Sequence, residues 1–267
     1  MSFIELSNAH LALASLLILI NGAISIAFGL RLERSLAISA VRMTVQLAAV
    51  GFVLAFVFAQ SSPAWTVLVA VVMVAVASFE LTQRQERRFR NWWAYGFGNL
   101  ALLLVGGLAS LYAVLVVIGP SPWYAPRYVI PILGMVLGNT LTAVSLALQT
   151  LTEGAERERA AIEGRIALGA TRFEAFSSVL RQSMRTAMTP LLNTMAVAGI
   201  VTLPGMMTGQ IIAGADPAQA ARYQIMIMFV LSGAAGLGAL LAGLGGVLLL
   251  SDKRHRLRLD RLAPAVH

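Results

Sequence analysis

The chain has 267 residues, of which 58% are hydrophobic and only 12% charged, with a formal net charge of +8 and no cysteine. A soluble domain carries roughly 25% charged residues, so this much apolar surface calls for a bilayer as solvent. The basic residues sit in separate stretches between apolar runs and form no continuous stripe, which argues against nucleic acid as a partner, and without Cys there is no disulfide, thiolate metal site or thiol nucleophile.

Apolar runs of about 18 residues or more, enough for a helix rising about 1.5 Å per residue to cross the hydrocarbon, predict seven spans. In order they are 11–30, 36–58, 64–81, 94–118, 128–151, 188–213 and 223–250. The expected fold is an all-α integral membrane protein, one transmembrane domain over residues 1–267. The first run has no basic residue before it and Arg31 and Arg34 after it, unlike a cleavable signal peptide, so it is expected to stay in the mature chain. With the amino terminus outside and the carboxyl terminus in the cytoplasm, the inner segments hold seventeen basic residues and the outer ones only Arg127 and Arg222. That satisfies the positive-inside rule, and the reverse orientation violates it. Nineteen of the twenty basic residues are Arg, which with abundant Ala, Gly and Leu reads as the codon bias of a GC-rich bacterium.

Two charges fall within or beside spans. Arg42 lies some six residues into the second span, about 9 Å along a helix, and Glu80 stands near the inner end of the third. Burying Arg near a helix centre costs about 2.5 to 3.5 kcal/mol on insertion scales, so Arg42 is expected to snorkel to the interface or to pair with Glu80.

Between the fifth and sixth spans, residues 153–187 interleave five Glu with six Arg at helical spacing, the pattern of short surface helices with i,i+4 pairs. Ile162, Ile166, Phe173, Phe176 and Leu180 fall on one face at about 3.6 residues per turn. Gly169 stands where a left-handed cap would end a first helix, and Thr171 with Glu174 forms a capping box for a second. The spacing predicts a bend over residues 168–171. Such an element is either a rigid knob pressed on a partner or a solvated connector.

In the sixth span Pro190 and Pro204 each remove a backbone donor and are expected to disturb the helix, with a break or kink at Pro204-Gly205. In the seventh, Gly238, Ala242 and Gly246 recur every four residues, a small-residue face for close helix approach within the chain or between two copies. No Gly-x4-Gly-Lys-[Ser/Thr] occurs and Lys253 is the only lysine, so the chain has no phosphate-cradling loop. Energy must come from a partner or an ion gradient.

Glu163, Gly169, Ala170, Phe176 and Val179 resemble the docking loop of ABC-transporter permeases, with Gly164-Arg165 in place of the usual two Ala and Gln182 for the usual nearby Pro. A wider resemblance rests on Arg42 with Gln46, residues 135–139, 167–171, 199–210 and 223–225, and above all the run LPGMMTGQIIAG at 203–214. These look like the bacterial iron-export and plant aluminium-tolerance permease family. The resemblance implies a permease subunit in the bacterial inner membrane, with no enzymatic activity or cofactor of its own. It implies export of iron or another metal by ATP-Mg hydrolysis on a separate cytoplasmic ABC ATPase, and a homodimer, because two ATPases need two docking surfaces. ATPase docking then falls to Glu163, Arg165, Leu168, Gly169, Ala170, Thr171, Phe173 and Phe176. Translocation or gating falls to Asn139, Asn193, Pro204, Gly205, Met206, Met207, Thr208 and Gln210. Without Cys or intramembrane His, a metal would meet oxygen ligands or the thioethers of Met206 and Met207, which suit soft Cu(I) better than ferrous iron; Met is also a common gap-filler. The alternatives are a gradient-driven carrier, which the scarcity of carboxylates in the spans disfavours, and a nontransporting scaffold or assembly factor.

Overall fold

The structure is a computed structural model that describes residues 7–60, 62–85, 92–252 and 254–263. Arg87, Arg88, Arg90 and Lys253, counted above among the basic inner residues, lie outside the described residues. The described residues are all-helical apart from loops and isolated bridges, and the chain divides into two units, residues 1–61 and 62–267.

The first unit pairs α1 (Asn8–Ala27) with α2 (Glu33–Gln60). Its turn uses left-handed backbone at Gly29 (φ +63°) and Arg31 (φ +58°). The buried Ser25 hydroxyl accepts from the Leu32 N–H (2.8 Å) and donates to Glu33 Oε2 (2.7 Å), closing the turn. Most apolar side chains of this pair face outward, Leu17 at 68% and Phe52 at 80% exposure, an arrangement that hydrocarbon favours and water does not.

The second unit opens with α3 (Pro63–Gln83), where proline sits at the first helical position with no donor to waste. A continuous helical stretch follows: α4 (Trp92–Ala101), a π-helical turn at Leu102–Gly106, α5 (Gly107–Leu111) and a second π-helical turn at Tyr112–Ile118. Then come α6 (Pro126–Arg157), α7 (Arg159–Ala167), α8 (Arg172–Ala175), α9 (Ser177–Val197), α10 (Gly205–Ile212) and α11 (Pro217–Leu249). Among the described residues, six helical segments are long and apolar enough to cross a membrane: α1, α2, α3, Gly98–Ile118, α6 and α11. The segment expected as the sixth span is instead two helices, α9 and α10, separated by non-helical residues 198–204.

Helices α6, α9 and α11 form the core. Val136, Ala143 and Ala147 of α6 meet Ala187 and Leu191 of α9 and Ile227, Leu231 and Ala235 of α11. Glycine sets how closely they approach. A Cβ on Gly238 would stand 2.7 Å from Thr140 Cγ2, one on Gly243 2.7 Å from Leu180 Cδ1, and one on Gly246 would run into the Leu151 side chain. The small-residue face of the last span, Gly238, Ala242 and Gly246, is therefore an intrachain seam against α6. On the other side, a Cβ on Gly154 would lie 2.6 Å from Val179 Cγ1, and the buried Ser183 hydroxyl donates to the Ala147 carbonyl across the α6–α9 contact. Pro190, expected to disturb its helix, lies inside α9, which continues to Val197. Pro190 is exposed.

Valine has one strongly preferred rotamer in a helix, so Val179 cannot easily yield to a new methyl. Gly154→Ala should lower the stability of the detergent-solubilised chain by about 1–3 kcal/mol through overpacking, read as a fall in thermal midpoint. Val179→Ala added to it should restore much of the loss. Gly138→Ala on the same helix, with nothing within 4 Å of the new methyl, should be close to neutral.

Candidate functional site

Two features stand out, an elbow before α9 and a break after it. The first is the elbow between α7 and α8. Gly169 takes φ +94°, with the Gly169 N–H donating to Ile166 O (2.9 Å) and the Ala170 N–H to Arg165 O (3.0 Å). This is the Schellman arrangement that satisfies the last carbonyls of a helix. Thr171 then caps α8: its N–H donates to Glu174 Oε2 at 2.7 Å, and the Glu174 N–H returns to Thr171 Oγ1 at 3.4 Å. The bend falls at residues 168–171, as the glycine and the capping box predict.

The elbow is braced from inside. Arg165 Nη1 donates to Ala175 O (2.9 Å) and Ser178 Oγ (3.0 Å), and the Ser178 hydroxyl donates to Glu158 Oε2 (3.0 Å). Three elements are thus tied by one guanidinium, so Arg165 sets the elbow's angle rather than standing out from it. Ile162 and Phe176 are fully buried with Leu151, Val179, Val247 and Leu250. Leu168, by contrast, is 90% exposed and Phe173 41%. Of the apolar face read from residues 162–180 only Phe173 is exposed, and Leu168, off that face at the bend, is exposed with it. Glu163 is exposed and pairs with Arg159 at 2.9 Å.

The second feature is the break after α9. Gly199 (φ +82°) starts a tight loop in which the Val197 carbonyl accepts from the Val201 and Thr202 N–H groups at 3.0 and 3.2 Å. Pro204 then stands at the N-cap of α10, which begins at Gly205. Ile200 and Val201 are 89% and 76% exposed. Because Val179 abuts Gly154 and Ser183 bonds to Ala147, α9 runs antiparallel to α6. The break therefore falls towards the amino-terminal end of α6, the far end of the bundle from the elbow, rather than mid-span. At about 1.5 Å per residue, the 21 residues of α9 put about 31 Å between elbow and break.

Polar and thioether groups collect in the core and around the break. Met135, Met184, Met188, Met195, Met206, Met226 and Met228 all belong to the main core cluster or pack against it, seven of the chain's eleven methionines. Met207 is outside that cluster. Asn139 Nδ2 donates to the Met135 carbonyl (2.9 Å) and the Thr208 hydroxyl to the Pro204 carbonyl (3.2 Å), both local bonds, while Asn193 is exposed. The amide oxygens of Gln210 and Gln224 are buried and meet no hydrogen-bond donor among the described residues. Gln224 was not foreseen from sequence, although an amide inside the last apolar run was a visible signal. Among the described residues no three His, Asp or Glu side chains gather where a metal would be held. Glu80 and Arg84 form an i,i+4 pair at 3.6 Å on α3, and Arg42 lies on α2 in the first unit.

Residues 8–248 match the uncharacterised protein family UPF0014. The chain belongs to this family. It is 33% identical over 258 residues, 97% of each chain, to the Probable iron export permease protein FetB of Escherichia coli. It is 38% identical over 203 residues to a UPF0014 membrane protein of Synechocystis, covering 76% of this chain and 78% of that one. Protein ALUMINUM SENSITIVE 3 of Arabidopsis thaliana is 33% identical over 224 residues, 84% of this chain and 80% of its own. No solved structure matches. The family read from the 203–214 run and its companions is the one found.

Accepting first from the Thr171 N–H and then from its hydroxyl holds the Glu174 carboxyl below its ordinary 4.5. A depressed folded pKa gives stabilisation that is complete above pH 4.5 and lost as pH falls through the lower, folded value. Thr171→Ala should cost about 1 kcal/mol locally, about fivefold faster amide exchange over residues 170–176 at neutral pH. Because the backbone N–H at 171 still donates to Glu174 in the variant, exchange over these residues, corrected for intrinsic rates, should quicken in both proteins as pH falls below 4.5.

Proposed function

We infer that this chain is the membrane permease subunit of an ABC transporter. In this reading it sits in the inner membrane of a bacterium and exports iron or another metal with ATP hydrolysed on a separate cytoplasmic subunit. The carrying observation is the braced elbow: an apolar knob of Leu168 and Phe173 in an aqueous loop, rigidly capped by Gly169, Ala170 and Thr171 and tied to α9 through Arg165. An exposed leucine at a fixed bend has no use inside the chain, and it suits a hydrophobic groove on a partner. The FetB relative, matched along nearly the full length of both chains, supports metal export in particular.

Seven crossings complete the topology: the six long apolar segments, and α9 with α10 as an interrupted seventh. The amino terminus is then outside and the elbow and carboxyl terminus are cytoplasmic, as the basic segments require. Two copies assemble, each docking one ATPase that holds ATP-Mg. Closure of the ATPase pair pushes the elbow. Because α9 is packed along α6 and α11 by glycine contacts, it moves as a rod and carries the displacement to the break at residues 198–204. The metal is cargo, passed along Met206 and the other core thioethers and past the unpartnered amide oxygens of Gln210 and Gln224.

Purification with the ABC ATPase encoded beside the chain tests this reading. Leu168→Asp and Phe173→Asp alter exposed positions and should leave the chain folded, yet each should reduce ATPase copurification about tenfold or more by placing a carboxylate in an apolar groove. Arg159→Gln, at the edge of the segment, should change it by less than about twofold. Full copurification and ATP turnover in both aspartate variants would overturn the docking role.

A further inference from the structure

The tail beyond α11 folds back on the bundle. The Arg258 N–H donates to Leu250 O at 2.8 Å, the Asp252 N–H to Arg256 O at 3.1 Å, and Ser251 and Leu257 form an antiparallel bridge. Asp252 is the hub of the turn. Its carboxylate accepts from the Arg254 and Arg256 N–H groups, both at 2.9 Å, and from Arg256 Nε at 2.8 Å. These bonds, the Arg256 N–H foremost, pull its pKa down to about 2. Arg261 Nη1 donates to Leu249 O (2.7 Å) and Ser251 O (3.2 Å), which covers the negative end of α11. Leu257, Leu259 and Leu262 pack against the buried cluster under the elbow. Finally, His255 Nδ1 accepts from the Arg172 N–H at 3.1 Å, which ties the tail to the start of α8.

This fold borders an open polar cleft of about 420 Å³ between the tail, the end of α11 and α8, within the range of small-ligand clefts. Among the described residues, Arg172, Arg254, Arg256 and Arg261 line it against a single carboxylate, Asp252. Arg256 is paired with that carboxylate at 2.8 Å and Arg261 is spent on two carbonyls. No described carboxylate lies within ion-pair distance of Arg172 or Arg254. Guanidinium forks match the oxygens of a phosphate group, which can accept from several at once. Leu248, in the last turn of a helix long and apolar enough to cross a membrane, forms another wall, which places the pocket at headgroup depth.

We propose that this pocket binds a phosphate group, that of an anionic lipid headgroup or of free phosphate, with Arg172 and Arg254 as its principal ligands. A bound phosphate bridges the tail to α8 and so stiffens the elbow from the cytoplasmic side. The site needs neither an ATPase nor transport, so its test is independent of the function inferred above.

The test uses the full chain in neutral detergent, with lipid binding measured by native mass spectrometry and phosphate binding by thermal shift. Phosphatidylglycerol should bind about fivefold tighter than phosphatidylcholine, and Arg172→Gln/Arg254→Gln should abolish that preference. Arg181→Gln/Arg185→Gln, removing equal charge outside the pocket, should keep the preference within about twofold. Competition by millimolar inorganic phosphate identifies free phosphate as a ligand, and phosphatidylglycerol binding without competition identifies the lipid headgroup; either supports the site. If the glutamine pair lowers the lipid-free thermal midpoint, Arg172→Lys/Arg254→Lys is read instead, and loss of the guanidinium forks should weaken binding about threefold. Equal binding of the two lipids with no phosphate stabilisation overturns the proposal. So does unchanged anion binding in the glutamine pair, or in the lysine pair where that is read; if ATPase copurification is lost as well, the arginines belong to a protein contact.

Discussion

Close approach of α9 and α11 to α6 is the constraint on which the rest of the second unit depends. In hydrocarbon there is little hydrophobic drive between helices, so association relies on packing and on a few polar contacts. Gly154, Gly238, Gly243 and Gly246 remove the methyls that would hold the helices apart, and Ser183 supplies a cross-helix hydrogen bond. Glycine inside a helix costs about 1 kcal/mol relative to alanine. Retaining four at the seams is intelligible only if the contact returns more than that. It makes α6, α9 and α11 one packed body.

From that body the functional geometry follows. The elbow is held at one end of α9 by Arg165 and by burial of Ile162 and Phe176. The break, with its left-handed Gly199 and donorless Pro204, lies about 31 Å away by helical rise. One end is rigid and presents apolar surface, and the other is irregular and exposed. That asymmetry fits a lever driven at the elbow and yielding at the break. Non-helical backbone at such a place is tolerated where it meets protein or a water-filled path.

Much of this was legible in the sequence because it is written locally. Of the seven spans predicted from apolar run length, six are membrane-compatible helices, and Gly169 with the Thr171 and Glu174 capping box marked the bend. What was missed depends on neighbours. The helical wheel through residues 162–180 assumed a straight axis, so it could not separate buried Phe176 from exposed Phe173. Arg165 read as a surface charge because its acceptors, Ala175 O and Ser178, arrive only after the chain bends. Pro190 looked like a breaker because its exposed position is invisible to propensity. The small-residue face of α11 needed α6 beside it to be assigned, and the tail pocket is assembled from α8, α11 and residues 251–261, three places that sequence alone does not bring together.

In the function proposed above, force applied at the elbow moves the break at the opposite end. The chain has no cysteine, so Ile200→Cys gives a unique reporter in the exposed loop. Its rate of modification by a membrane-impermeant thiol reagent is measured from the outer side in proteoliposomes that also contain the ATPase. Trapping the ATPase closed with ATP-Mg should change that rate about tenfold, and Leu168→Asp should abolish the change, as expected of a population shift between two states. An identical rate with and without ATP-Mg would rule out coupling between elbow and break.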